Sequence, residues 1–201
     1  MKPRLIIEQK ITAFVNRYEI YSALENGEKS ELLAFAQQRR LAFKERVDFY
    51  TDEVKSDLVF SFRAEKVMDL HGKFFIEDAD GNRIGAFKKQ FKQSLLNSTW
   101  SILDLADTIT LTVKESNQTL ATIRRFGGWI PIIGDIIELI VLFFRYHFMF
   151  VDQQGSVVGT YTKTKLIRDH YQLDMSDEQF TQHDWRVLAA MAVALDALQS
   201  R

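Results

Sequence analysis

The sequence predicts a β-rich fold: a closed antiparallel barrel with an apolar helix through its middle. Three observations carry this. Turn signals at Asn26-Gly27, Asp80-Gly81-Asn82 and Gln154-Gly155-Ser156 each separate apolar-rich stretches, as hairpin turns do. Residues 74–89, FFIEDADGNRIGAFKK, repeat in residues 148–163, FMFVDQQGSVVGTYTK. Residues 184–199, DWRVLAAMAVALDALQ, hold no polar side chain from Val187 to Leu195. Such a helix is apolar all round and is expected to be buried all round.

The composition sets the bounds. The chain has 201 residues, 46% hydrophobic and 26% charged, which excludes a disordered chain and fits one domain. There is no cysteine, so disulfides, thiol catalysis and cysteine zinc sites are excluded. Sixteen Phe, six Tyr and three Trp favour strands. The formal net charge of −1 gives no bulk electrostatic case for nucleic acid.

Strands are expected near 4–10, 17–23, 31–38, 46–51, 57–63, 73–78, 83–90, 98–104, 108–115, 119–125, 146–151, 156–163 and 168–174. Alternation is clearest in Thr108-Ile109-Thr110-Leu111-Thr112-Val113, with threonines on one face and aliphatic residues on the other. The spacing suggests an antiparallel barrel or sandwich rather than βαβ units. In the repeat, Phe74/Phe148, Asp78/Asp152, Gly81/Gly155, Gly85/Gly159 and Lys89/Lys163 coincide without gaps. Gly81 and Gly155 supply the positive φ of the turn. A fainter copy begins at Tyr18 and turns at Asn26-Gly27. Repeated hairpins favour closure, which removes free sheet edges.

Between the strands, residues 126–145 are the most apolar stretch. Pro131 and Gly134 punctuate it, Asp135 is a candidate N-cap, and Ile136, Ile137, Ile140, Val141 and Phe144 follow helical spacing. The pattern predicts a short inserted helix. Asp135, Glu138 and Arg145 interrupt the run, and a bilayer span needs ~20 mostly apolar residues. The segment is read as a plug across one barrel mouth, a partner or dimer contact, or an interfacial membrane contact through Trp129, Ile137, Ile140 and Phe144. The last helix, 184–199, is capped by Asp184. Sixteen residues make about 24 Å, a suitable barrel height. Four alanines, at 189, 190, 192 and 194, keep it slim. The rival reading exposes it to a partner or a membrane.

These segments resemble a known family. LAFKERVDFYTDE (41–53), DADGNRIGAFKK (78–89), SLLNSTWSI (94–102), IRDHYQL (167–173) and the helix 184–199 are similar to bacterial LURP-one-related proteins of the tubby C-terminal superfamily, which includes the phospholipid scramblases. The resemblance covers nearly the whole chain. It implies a single domain, 1–201, with about twelve strands closed around the C-terminal helix. It also implies a non-enzymatic module, since eukaryotic tubby domains bind phosphoinositides at a basic face. Neither a tubby phosphoinositide pocket nor a scramblase calcium motif matches positions in this sequence, so neither site is carried over.

The chemistry agrees with a binding role. There is no G-x-S-x-G, Walker loop, G-x-G-x-x-G or H-E-x-x-H. His71, His147, His170 and His183 are scattered at non-ligand spacing. Asp78-Ala79-Asp80-Gly81-Asn82 is similar to the start of a calcium loop but lacks its later ligands, so it reads as a turn. No metal, cofactor or catalytic residue is expected. Arg83, Lys88, Lys89 and Lys92 give four cations in ten residues with no acid among them. Arg39, Arg40, Lys44 and Arg46 form a second cluster, Lys163, Lys165 and Arg168 a third, and Arg124 and Arg125 precede the apolar segment. If these converge, they suit anionic lipid at about 1 kcal/mol per residue; otherwise they are a solvated outer wall. The expected ligand contacts are Lys88, Lys89, Lys92, Arg124 and Arg125. The alternative is an interaction or scaffold module, including a homo-oligomer, that uses 126–145. The N-terminus does not read as a signal peptide, so the expected location is cytoplasmic or peripheral to a membrane.

Overall fold

The computed structural model describes residues 4–11, 15–39, 46–65, 72–90, 99–115, 147–164 and 169–199. It contains twelve strands: β1 (Arg4–Ile11), β2 (Val15–Ala23), β3 (Lys29–Arg39), β4 (Arg46–Tyr50), β5 (Leu58–Ala64), β6 (Lys73–Asp78), β7 (Arg83–Lys89), β8 (Thr99–Leu103), β9 (Ile109–Glu115), β10 (His147–Val151), β11 (Val157–Lys163) and β12 (Asp169–Met175). Two helices follow, α1 (Asp177–Gln182) and α2 (Trp185–Gln199). Each strand pairs antiparallel with the next, and β12 returns to β1 with Leu5 opposite Leu173. The barrel is closed, as the repeated hairpins predict, and none of its strands is left with a free edge.

Side chains alternate in and out of the wall. In β4, Val47 and Phe49 are buried while Arg46 is exposed. The inner face of β4 to β8 is aromatic. Phe49 stacks on Phe60 at 4.1 Å, Phe74 on Phe87 at 5.0 Å, and Phe87 meets Trp100 edge-on at 6.0 Å. On the far side Tyr161 stacks on Tyr171 at 5.1 Å. With the wall supplying bulk, the helix must be thin. Ala189, Ala190, Ala192 and Ala194 of α2 are all fully buried, as are Leu188, Met191, Val193 and Leu195. The buried-helix reading therefore holds, and the exposed-helix rival does not. Asp184 caps α2 as expected: its Oδ1 accepts from the backbone N–H of Arg186 at 2.8 Å. Burial pushes the Asp184 carboxyl up, but the bonds from Arg186 outweigh it and hold the group below its ordinary range.

The two ends of the barrel differ. One end carries the tight turns. In 78–82 the N–H of Asp78 donates to Asn82 O at 2.9 Å and that of Gly81 to Asp78 O at 3.1 Å. The same pair of bonds closes 24–28, 104–108 and 152–156. The residue with positive φ is Gly27, Gly81 and Gly155 in three turns and Asp107, at φ +64°, in the fourth. Asp78, Asp104 and Asp152 each turn Oδ1 back onto backbone N–H groups of their own turn. The acidic run at 78–82 is thus a turn. The loop 51–57 and helix α1 lie at the same end.

At the other end, the strands are joined by 12–14, 40–45, 66–71, 91–98, 116–146 and 165–168, which lie outside the described residues. The strand expected at 119–125 and the helix expected within 126–145 fall there. Among the described residues no helix is long and apolar enough to cross a membrane.

Candidate functional site

Of the cations singled out by sequence, Lys88 and Lys89 lie on β7. Adjacent residues of a strand point to opposite faces. Lys89 pairs with Trp100 and holds its Nζ 5.6 Å from that ring, on the inner face. Lys88 pairs with Lys73 on one side and Ser101 on the other, on the outer face. The cluster read from sequence is therefore split by the wall. Lys92, Arg124, Arg125, Trp129, Ile137, Ile140 and Phe144 lie outside the described residues.

The register gathers other cations around Lys88. Arg46 of β4 lies directly opposite Arg63 of β5, and Lys73 of β6 directly opposite Lys88. Between these two like-charge pairs lies Phe75, opposite Arg63 on one side and Ala86 on the other. The Arg63 Cζ is 5.5 Å from the Phe75 ring centre, Lys73 Nζ 5.0 Å and Arg83 Cζ 4.7 Å. One aromatic ring thus faces three cations. Lys114 of β9, opposite Thr99, extends the outer face.

Several cations have acidic partners. Arg46 pairs with Asp48 at 2.6 Å and Arg63 with Glu77 at 2.7 Å. Asp107 reaches over from its turn to Lys73, at 2.6 Å, and to Arg83. Those two cations draw the Asp107 carboxyl down to about 2, Arg83 contributing most. Lys88 and Lys114 have no ion pair among the described residues. Sequence reasoning singled out neither Arg63, Lys73 nor Lys114. The signal was present for Lys73, since the turn at 78–82 fixes which residue of β6 faces Lys88.

The turn end of the barrel is acidic. At the turn end, segments 24–28, 51–57, 78–82, 104–108, 152–156 and 176–184 carry thirteen Asp and Glu (two, three, two, two, one and three in that order) against one Lys. The near-neutral total thus hides an acidic end among the described residues.

Among the described residues no group of three or more His, Asp or Glu is placed to hold a metal ion. A cleft of about 500 Å³ opens at the turn end, floored by Ile84, Ile102, Leu103 and Val187. It is walled by the turns 104–108 and 152–156 and by the α1–α2 segment.

No curated protein matches the chain. A solved porin-like protein from Bacteroides uniformis is similar over 87% of this chain and 95% of its own, at 8% identity and a TM-score of 0.21. The family model for LURP-one-related proteins matches residues 32–196. That span runs from β3 into the central helix and takes in ten of the twelve strands, and the chain belongs to the LURP-one-related family.

Proposed function

We propose that this protein is a non-enzymatic module that binds anionic phospholipid headgroups, phosphoinositides included, through the outer wall of β4 to β9. The observation that carries this reading is the pair of like-charge contacts, Arg46 opposite Arg63 and Lys73 opposite Lys88. Like charges directly opposite on a sheet destabilise it. Asp48, Glu77 and Asp107 offset part of that cost at Arg46, Arg63 and Lys73; a phosphate lying across the wall takes up the rest, and each cation near an anionic surface contributes about 1 kcal/mol. Membership of the LURP-one-related family supports a tubby-like module of this kind. The acidic turn end supports it too, since an anionic surface repels that end and so turns it away before contact.

The test is co-sedimentation with neutral, anionic and phosphoinositide-containing liposomes at low and physiological salt. Wild-type protein is expected to pellet with anionic vesicles only, and less so as salt rises. Lys88→Glu with Lys114→Glu is the discriminating variant, because neither lysine holds an ion pair among the described residues. Its circular dichroism should be unchanged and its pelleting lost. Equal pelleting of wild type and variant would rule this surface out.

A further inference from the structure

The acidic end carries a second surface, independent of the lipid reading. All five exposed large apolar side chains among the described residues, Leu24, Val54, Leu105, Ile109 and Val157, lie at this end. Three of them, Leu105 at 64% exposure, Val157 at 55% and Ile109 at 36%, belong to the two hairpins that wall the cleft. Single exposed apolar residues are ordinary, but these three stand together around one cleft. The cleft has an apolar floor and, at about 500 Å³, falls within the roughly 300–1,000 Å³ of ligand sites.

The chemistry of the rim selects the guest. Asp104, Asp152, Glu178 and Asp184 line the cleft, and neither Lys nor Arg does. Asp184 is engaged by Arg186. Asp104 and Asp152 hold their turns through Oδ1 alone, which leaves Oδ2 of each without a donor. Glu178 accepts from Gln182 through Oε1 alone. A mixed cleft, with Ile84, Ile102, Leu103 and Val187 at its base and carboxylate oxygens on its rim, complements an apolar side chain flanked by ammonium or guanidinium groups. From this complementarity we propose that the turn end docks a basic protein segment, which seats one apolar side chain in the cleft against Val187 and lays its Lys or Arg residues on the rim. If the opposite end faces an anionic membrane, this surface faces away from it and is free to recruit such a segment.

The probe is a short fluorescein-labelled peptide of Lys and Leu at helical spacing, read by anisotropy against the full chain. Two controls replace Leu by Ser and Lys by Glu. The Lys/Leu peptide is expected to bind, the Lys/Ser peptide at least about tenfold more weakly, and the Glu/Leu peptide not at all. Leu105→Asp and Glu178→Lys alter exposed residues and should leave the thermal melt unchanged while each weakens the Lys/Leu peptide about tenfold. Lys88→Glu with Lys114→Glu should leave it unchanged, which separates this surface from the lipid face. Equal binding of the Lys/Ser peptide would reduce the site to diffuse charge and overturn the proposal. So would wild-type affinity in Leu105→Asp, or no binding of the Lys/Leu peptide. Self-association of the wild type that Leu105→Asp abolishes would make the occupant a second copy, and overturns it as well.

Discussion

A Cβ on Gly85 would lie 2.9 Å from Cγ2 of Val187. Glycine at this point of β7 therefore lets the central helix approach the wall, and the repeat places Gly159 at the equivalent point of β11. There a Cβ would meet the carbonyl oxygen of Asp174 at 2.8 Å as well as the Met175 sulfur. A methyl group at 85 presses on a side chain that has other rotamers. One at 159 presses on backbone. Gly159→Ala is expected to destabilise by about 1–3 kcal/mol, and Gly85→Ala by less. Val187→Ala should partly restore Gly85→Ala and leave Gly159→Ala unaffected. Urea melts of the two single variants and the two doubles measure this. Equal costs at the two glycines would contradict the backbone argument.

The central helix gives a harsher test. Ala190 and Ala192 are fully buried inside the barrel. An aspartate at either site is a buried charge without a partner, at a cost of several kcal/mol even after relaxation. Domain stability is typically only about 5–15 kcal/mol. Ala190→Asp is expected to abolish soluble expression, whereas Ala190→Ser retains it, because a helical serine can bond back to its own backbone. A soluble Ala190→Asp protein with a native circular dichroism spectrum would sink the account of α2 as the core.

What could be read from sequence follows from how local each signal is. The turns at Gly27, Gly81 and Gly155 are legible because positive φ favours glycine at one fixed place. The turn 104–108 carries no such mark, because Asp107 occupies the left-handed position; only the break between the strands expected at 98–104 and 108–115 reveals it. Helix α2 announces itself by an unbroken apolar run. Helix α1, six residues with none buried, has too few turns to show a period. Lys88 and Lys89 look like one cluster in a linear reading and lie on opposite faces of the wall. Arg46 and Arg63 look unrelated and lie side by side, because only the register of β4 on β5 joins them.

Asp107 makes the turn end sensitive to acid. Its carboxyl titrates at about 2 in the folded chain, against about 3.9 when unfolded. A depressed folded pKa means stability that is fully present above about pH 4 and lost as pH falls towards about 2. Asn tolerates the left-handed conformation as Asp does, so Asp107→Asn removes the charge without straining the turn. The variant should be less stable than wild type at neutral pH, and the two should converge near pH 2. Denaturant melts across that range measure it. A stability difference that is flat with pH would show that the ion pairs to Lys73 and Arg83 contribute nothing.

The opposite end of the helix is tied to the wall by one carboxylate. Tyr171 donates its hydroxyl to Asp196 Oδ1 at 2.8 Å, and Tyr18 to Oδ2 at 3.2 Å. Gln9 in turn donates to the Tyr18 oxygen at 3.0 Å. Both tyrosines are buried, so their hydroxyls need acceptors and Asp196 needs donors. A hydrogen bond to a charged acceptor is worth about 1.5–3 kcal/mol. Tyr171→Phe removes the shorter bond and is expected to destabilise by that amount. Tyr18→Phe loses a longer bond but also strands the Gln9 amide, so its cost should be similar rather than smaller. Because both bonds end on Asp196, the two losses should not add: with Asp196→Ala in the background, Tyr171→Phe should cost well under about 1 kcal/mol, and Tyr18→Phe should keep only the cost of the stranded Gln9 amide. A double-mutant cycle on thermal melts decides the point, and undiminished tyrosine costs in the Asp196→Ala background would show that the carboxylate does not fasten α2 to the wall.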